Sequence, residues 1–133
     1  MKDFSFYVEK GDVKERSASP SEARSLRVQA QERFNHQVKD REITKSNSTF
    51  IFEDAYEAIR QYLQSFMAEN GFKPYSHEAV VAFALENKHI TDSEASKMDQ
   101  FRKIRNDIKY RGETAQKERT KEIVELTEKI IKE

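Results

Sequence analysis

The stretch Phe101-Arg102-Lys103-Ile104-Arg105-Asn106-Asp107-Ile108-Lys109-Tyr110-Arg111-Gly112 decides the fold, because its apolar residues recur at helical and not at alternating spacing. Met98, Phe101, Ile104 and Ile108 fall on one side of a helix, and a glycine follows as a stop. Arg105 lies only about 50° from the mean direction of that apolar stripe. A guanidinium does not shed its proton, so one held at the edge of a buried face needs an acceptor from the protein, a partner chain or a ligand.

Upstream, Thr91-Asp92-Ser93-Glu94 is a capping box that starts this helix. A shorter helix precedes it, capped by Ser76 and carrying Val80, Phe83, Ala84 and Leu85, with Pro74 blocking continuation from the helix before. That earlier helix follows the turn-forming tract Lys45-Ser46-Asn47-Ser48-Thr49, which supplies its N-cap, and presents Phe52, Ala55, Ile59, Leu63, Phe66 and Met67 before Gly71 ends it. Ser19-Pro20-Ser21-Glu22 is a second capping box, with proline at the first helical position. It opens a helix carrying Ala23, Leu26, Ala30, Phe34 and Val38 and running to about Thr44. These two long helices, joined by a short connection, are expected to lie antiparallel.

At the N-terminus, residues 3–8 alternate like a strand but have no evident partner, so a short helix ending at Gly11 is the reading, and the polar run from Asp12 to Ser19 reads as a linker. Beyond Gly112, Thr114 is the expected cap of a last helix that packs Ile123, Val124, Leu126, Ile130 and Ile131. The fold class is therefore all-α, an up-and-down bundle of about five helices. It forms one domain, 1–133, with 1–18 as an N-terminal extension and a core of about 19–133.

Composition agrees with this: 36% hydrophobic, 36% charged, three glycines and two prolines describe well-solvated helices and not a turn-rich sheet. There is no cysteine, so disulfides and thiolate nucleophiles are excluded. His36, His77 and His89 have no metal-site spacing, and neither metal nor cofactor is expected. The N-terminal residues lack the pattern of a signal peptide and no apolar run approaches a membrane span, so the expectation is a cytoplasmic protein without membrane partners.

The formal net charge is zero, but it hides a basic end. Between Lys97 and Lys121 nine bases face four acids, a local excess of +5. Arg102, Arg105 and Lys109 share one edge of the helical wheel beside Asn106, and such forked and point-charge donors suit phosphate oxygens. A solvated charged face accounts for Lys103, Arg111 and Lys117; it accounts poorly for Arg105 and Asn106 unless an acid such as Glu57 pairs with the arginine. Phe50, Phe52, Tyr56, Tyr62 and Phe66 read as core or dimer contacts, since their spacing is helical. His77, at the start of its helix, reads as a surface or cap-adjacent residue, with a surrogate catalytic base as the functional alternative; His36 and His89 read as structural.

The order of elements, with Ala55-Tyr56-Glu57-Ala58-Ile59-Arg60, Gly71-Phe72-Lys73-Pro74-Tyr75-Ser76-His77-Glu78-Ala79 and Arg105-Asn106-Asp107-Ile108-Lys109-Tyr110, resembles the HEPN superfamily over about Ser19 to Gly112. That resemblance implies a helical bundle, a homodimer packed around the motif helix, and RNA cleavage or nucleotide and RNA binding. It also implies, as a partner, a minimal nucleotidyltransferase in a toxin–antitoxin pair. The family's catalytic signature is an arginine, often followed by asparagine, with a histidine four to six residues beyond the arginine. Arg105 and Asn106 match its start, but Tyr110 stands where the commonest spacing places histidine, and no histidine follows His89.

In-line attack by a ribose 2′-hydroxyl needs a base of near-neutral pKa, which histidine at about 6.5 supplies and tyrosine at about 10 does not. The first expectation is thus a nucleotide- or RNA-binding dimer that lacks ribonuclease activity or has it only weakly, binding through Arg102, Arg105, Asn106, Lys109 and Tyr110. A second is a metal-independent endoribonuclease using Arg105 with Tyr110 or His77. A third is a protein-interaction module without ligand, its Arg105 tied to an internal acid. Residues five apart differ by about 140° on a helix, so Arg105 and Tyr110 are expected to need a distorted last turn or a second subunit to act together.

Overall fold

Apolar residues three and four apart on the longest helix set the core. In the computed structural model, which describes residues 2–131, α3 (Ser48–Glu69) buries Phe52, Ala55, Tyr56, Ile59, Leu63 and Met67 completely or nearly so. Around it stand α1 (Phe4–Lys10), α2 (Pro20–Gln37), α4 (His77–Glu86), α5 (Asp92–Arg111) and α6 (Lys117–Ile131), which make an all-α bundle. α2 lies antiparallel along α3, as expected, though the connection is longer than expected because α2 ends early, and two ion pairs mark the register: Arg27 to Glu69 at 2.8 Å near one end and Arg33 to Asp54 at 2.9 Å toward the other. The Phe66 ring is held between Arg27, 4.6 Å from its centroid, and His89, stacked at 3.8 Å, which gives His89 the structural role expected of it.

The Asp12–Ser19 tract is not a linker. Val13–Glu15 forms β1, which pairs antiparallel with β2 (Phe72–Pro74), Val13 opposite Pro74 and Glu15 opposite Phe72. Three residues are too few for alternation to announce a strand, and the partner is remote in sequence. The first eighteen residues also contribute to the core: Tyr7 and Val13 are buried, and Phe4 meets Phe72 and Phe83 edge-on at 5.2 and 5.1 Å. Gly71 is needed where the ribbon begins. Its φ is +82°, and a Cβ there would sit 2.6 Å from the Arg16 carbonyl oxygen. The ribbon thus fixes the path of the chain into α4.

Helix ends follow their signals except where a distant group competes. The Thr91–Glu94 capping box is complete, and Gly112 ends α5 in the left-handed region. At α2 the Ser19 hydroxyl accepts from the Glu22 amide, but the reciprocal half is absent because the Ser19 amide donates to the Ala68 carbonyl and Glu22 pairs with Arg16. α2 stops at Gln37 and not near Thr44, since Val38 turns into the core and Asp40 adopts a positive φ of 60°.

Residues 45–49 give α3 no side-chain cap. Asn47 instead closes its own turn by accepting from the Thr44 amide and donating to the Glu42 carbonyl, while Ser48 and Thr49 reach across to Thr120 and the Ala115 amide. With Ala115 buried and held by Thr49, α6 begins at Lys117, and Thr114 does not cap it.

α5 is packed unevenly. Ala95, Met98 and Phe101 are buried, with Phe101 edge-on to Phe52 at 5.8 Å, but from Arg102 onward no residue of the helix is fully buried; Ile104 and Ile108 are half-exposed.

Candidate functional site

The face of α5 beside that apolar stripe carries Arg102, Arg105, Asn106, Lys109 and Tyr110, at i, i+3, i+4, i+7 and i+8. Together with Tyr75, Ser76, His77 and Glu78, at the exit of the ribbon and the start of α4, they line a cleft of about 290 Å³. All six residues singled out from the sequence, His77 included, meet in this one place. Arg105 and Tyr110 do so without a distorted turn or a second chain: α5 is continuous to Arg111, and the two residues stand at opposite edges of the arc that Arg102, Asn106 and Lys109 fill. Arg105 sits near the apolar stripe because it occupies the border between the buried face and the cleft.

The alternative pairing of Arg105 with an acid such as Glu57 does not occur among the described residues. Glu57 is taken by Arg60, one turn along α3. Burial pushes the Glu57 carboxyl up, but the Arg60 hydrogen bond and charge outweigh it and hold the group below the usual carboxylate range. Arg105 instead lies over the Tyr56 ring, 5.8 Å from its centroid, and among the described residues it has no carboxylate partner.

Lys109 likewise has no carboxylate partner there, and its ammonium stands 5.3 Å from the centroid of the Tyr110 ring. Arg102 is already engaged, by Asp99 at 3.0 Å and by Glu78 at 4.0 Å. The uncompensated positive charge of the cleft therefore resides on Arg105 and Lys109.

His77 is the cap-adjacent residue expected, directly after the Ser76 N-cap, but it is not fully on the surface. It is half-buried, and its Nδ1 lies 3.1 Å from the hydroxyl of Tyr56, a side chain only 1% exposed. Burial, then the charges of Arg60, Arg105 and Lys109, push the imidazole down to about 4 against the opposing pull of Glu57. Burial pushes the Tyr56 phenol up to about 12, although Arg105, Arg102 and Arg60 act the other way. Both groups are therefore neutral at pH 7. Among the described residues no cluster of three or more histidines and carboxylates could hold a metal ion, and no helix is long and apolar enough to cross a membrane.

The lowered His77 pKa has a consequence for stability. Between pH 6.5 and about 4 the unfolded chain binds a proton at this ring and the folded chain does not, so the contribution is complete above 6.5 and is lost as the pH falls through that window. For a half-buried ring partly screened by solvent it amounts to about 1–2 kcal/mol. Urea midpoints measured at pH 7 and pH 4 should fall less with acidification in His77→Gln than in the unmodified protein; equal slopes would contradict the assignment.

Comparison of the chain with protein-family models, with curated proteins and with solved structures finds no match. The HEPN resemblance rests on the chain's own motif residues. Motif spacing missed Tyr75 and Glu78, which lie on another element, and gave Tyr56 no part beyond core packing or dimer contact. The helical repeat gave α5's contribution, but nothing local signals that a buried tyrosine on α3 would sit beneath Arg105 and bond His77.

Proposed function

We propose that this protein is a HEPN-like module that binds the phosphate of a nucleotide or of RNA in the cleft between α4 and α5, with ribonuclease activity weak or lacking. One observation carries the reading: Arg105 and Lys109, two cations without carboxylate partners among the described residues, stand in a cleft with Asn106, His77 and the exposed ring of Tyr110. Guanidinium, ammonium, amide and imidazole groups supply donors to phosphate oxygens, and a tyrosine ring at the rim offers a face for a base. Ile104 and Ile108, packed against the core yet still partly exposed on a half-helix with no fully buried residue, are the surface along α5 that a homodimer would cover. A minimal nucleotidyltransferase as the partner is part of the same proposal, carried by the superfamily resemblance, as is a cytoplasmic setting.

The endoribonuclease reading has one observation in its favour, the presence of His77 in the same cleft as Arg105. An imidazole pushed down to about 4, with Nδ1 engaged by Tyr56, is a weak base, which places cleavage second. The interaction-module reading loses its premise, since Glu57 pairs with Arg60 and not with Arg105.

The test is fluorescence anisotropy with labelled single-stranded RNA, with ATP as competitor, in low salt. Arg105→Ala is expected to weaken binding at least about tenfold, the equivalent of losing one charge-assisted contact of about 1.5–3 kcal/mol. Its melting temperature should be nearly unchanged, because Arg105 has no ion pair among the described residues. Absence of binding to RNA and to nucleotide, or binding indifferent to Arg105→Ala, would overturn the proposal.

A further inference from the structure

We propose that His77 is a neutral hydrogen-bond donor to the anion bound in this cleft, and that the buried hydroxyl of Tyr56 is the positioning group that makes it one. The inference rests on the phosphate-binding reading and assigns it a residue pair beyond α5.

The argument begins with the Tyr56 hydroxyl. Tyr56 is 1% exposed, so its O–H must find an acceptor within the protein, and among the described residues its hydrogen-bond partner is His77 Nδ1 at 3.1 Å. Were Nδ1 protonated, the ring would donate to the phenol oxygen and the buried hydroxyl hydrogen would be left with no acceptor. A phenol is also a stronger acid than a neutral imidazole N–H, and a bare imidazole nitrogen is the better acceptor. Tyr56 therefore donates, Nδ1 accepts, and the single proton of the neutral ring resides on Nε2. The same phenol ring lies beneath the Arg105 guanidinium, so one buried side chain of α3 touches a cleft residue of α4 and one of α5.

Electrostatics keep the ring in that form. The groups that act on His77 are Arg60 and Glu57 from α3 and Arg105 and Lys109 from α5, with Glu78 next to it on α4. Glu57 is occupied by Arg60, which leaves the cations of α5 as the unanswered charge. A phosphate between Arg105 and Lys109 neutralises that charge and offers oxygen acceptors to the Nε2–H. With Nδ1 engaged and Nε2 protonated, His77 has no free lone pair with which to abstract a 2′-hydroxyl proton. The arrangement binds an anion and does not deprotonate a nucleophile.

Long-range ¹H–¹⁵N spectra of the full chain labelled in histidine test this at pH 7. The expected His77 signature is a protonated Nε2 and a bare Nδ1, with the Nε2–H shifting and exchanging more slowly with solvent when inorganic phosphate or adenosine monophosphate is added. Tyr56→Phe keeps the ring and the core volume; it is expected to mix the tautomers and to weaken binding of adenosine monophosphate about three- to tenfold. His77→Ala should cost about tenfold, and His77→Gln, which retains an N–H donor, should recover part of it. A protonated Nδ1 in the unmodified protein overturns the inference without need of any variant. So does unchanged affinity in both Tyr56→Phe and His77→Ala while Arg105→Ala still loses binding, and that pattern leaves the cleft's phosphate-binding role standing. Binding indifferent to Arg105→Ala would remove both.

Discussion

Phe101→Ala is expected to lower the free energy of unfolding by about 3–5 kcal/mol, the range for removing a buried phenylalanine that neighbouring side chains cannot replace. Phe101 is 2% exposed and meets Phe52 edge-on, a contact worth about 0.5–1.5 kcal/mol beyond area burial. The loss is concentrated by the way α5 is held. Its other buried residues are Ala95 and Met98, both nearer its N-terminus, so Phe101 is the last full anchor before the half-helix that carries the cleft. Urea denaturation measures the change in stability, with Phe50→Ala, on a side chain 67% exposed, expected to stay within about 0.5 kcal/mol of the unmodified protein. Amide hydrogen exchange in Phe101→Ala should rise most from Arg102 to Arg111. Similar midpoints for the two variants would mean that α5 is held by something other than this aromatic contact.

The same asymmetry explains what could be read from sequence. Capping boxes and stop glycines are local chemistry, and at Thr91–Glu94 and Gly112 nothing distant competes with them, so α5 begins and ends where its sequence says. At Ser19 half of the box is given up because the Ser19 amide finds the Ala68 carbonyl, a contact that no local window contains, while Glu22 pairs with nearby Arg16. Asn47, Ser48 and Thr49 look like cap residues and are used instead to close a turn and to tie α3 to α6. The ribbon of β1 and β2 was illegible for a related reason: three residues on each side carry no periodicity, and the pairing is fixed by Gly71 and by backbone bonds such as Arg16 to Gly71.

The cleft divides along the same line. Its α5 wall is a helical repeat, and periodicity assembles Arg102, Arg105, Asn106 and Lys109 correctly. The angular separation of Arg105 and Tyr110 is no obstacle, because a cleft that takes in about 140° of the helix holds the two residues at its opposite edges. The α4 wall depends on where the ribbon delivers the chain. The part of Tyr56, beneath Arg105 and bonded to His77, depends on which α3 residue faces the border of α5, and a pattern of apolar spacing does not distinguish that position from the rest of the core.

Tyr110→His is expected to raise chelator-resistant cleavage of single-stranded RNA by about 10²-fold or more over the unmodified protein. A positioned general base contributes about 10²–10⁴-fold, and on the proposed reading the cleft offers Arg105 to the phosphate but no available base. Position 110 is 72% exposed at the rim, so an imidazole there would keep a pKa near the ordinary value of about 6.5 and be largely unprotonated at pH 7. His77 cannot take that part while burial and Arg60, Arg105 and Lys109 push it down to about 4 and Tyr56 occupies Nδ1.

Attack by the 2′-hydroxyl would leave a cyclic phosphate on the upstream fragment, which mass spectrometry of the products detects. The double variant Tyr110→His with Arg105→Ala should lose the gain, since a base without the cation that receives the developing phosphate charge does little. Tyr110→His that binds RNA and does not cut would show that the cleft holds phosphate without aligning the 2′-hydroxyl. Cleavage by the unmodified protein, abolished by Arg105→Ala, would favour the ribonuclease reading. The two results separate a site that lost its base from one built only to bind, because restoring an imidazole at the rim changes the rate only where the attacking oxygen already lies in line.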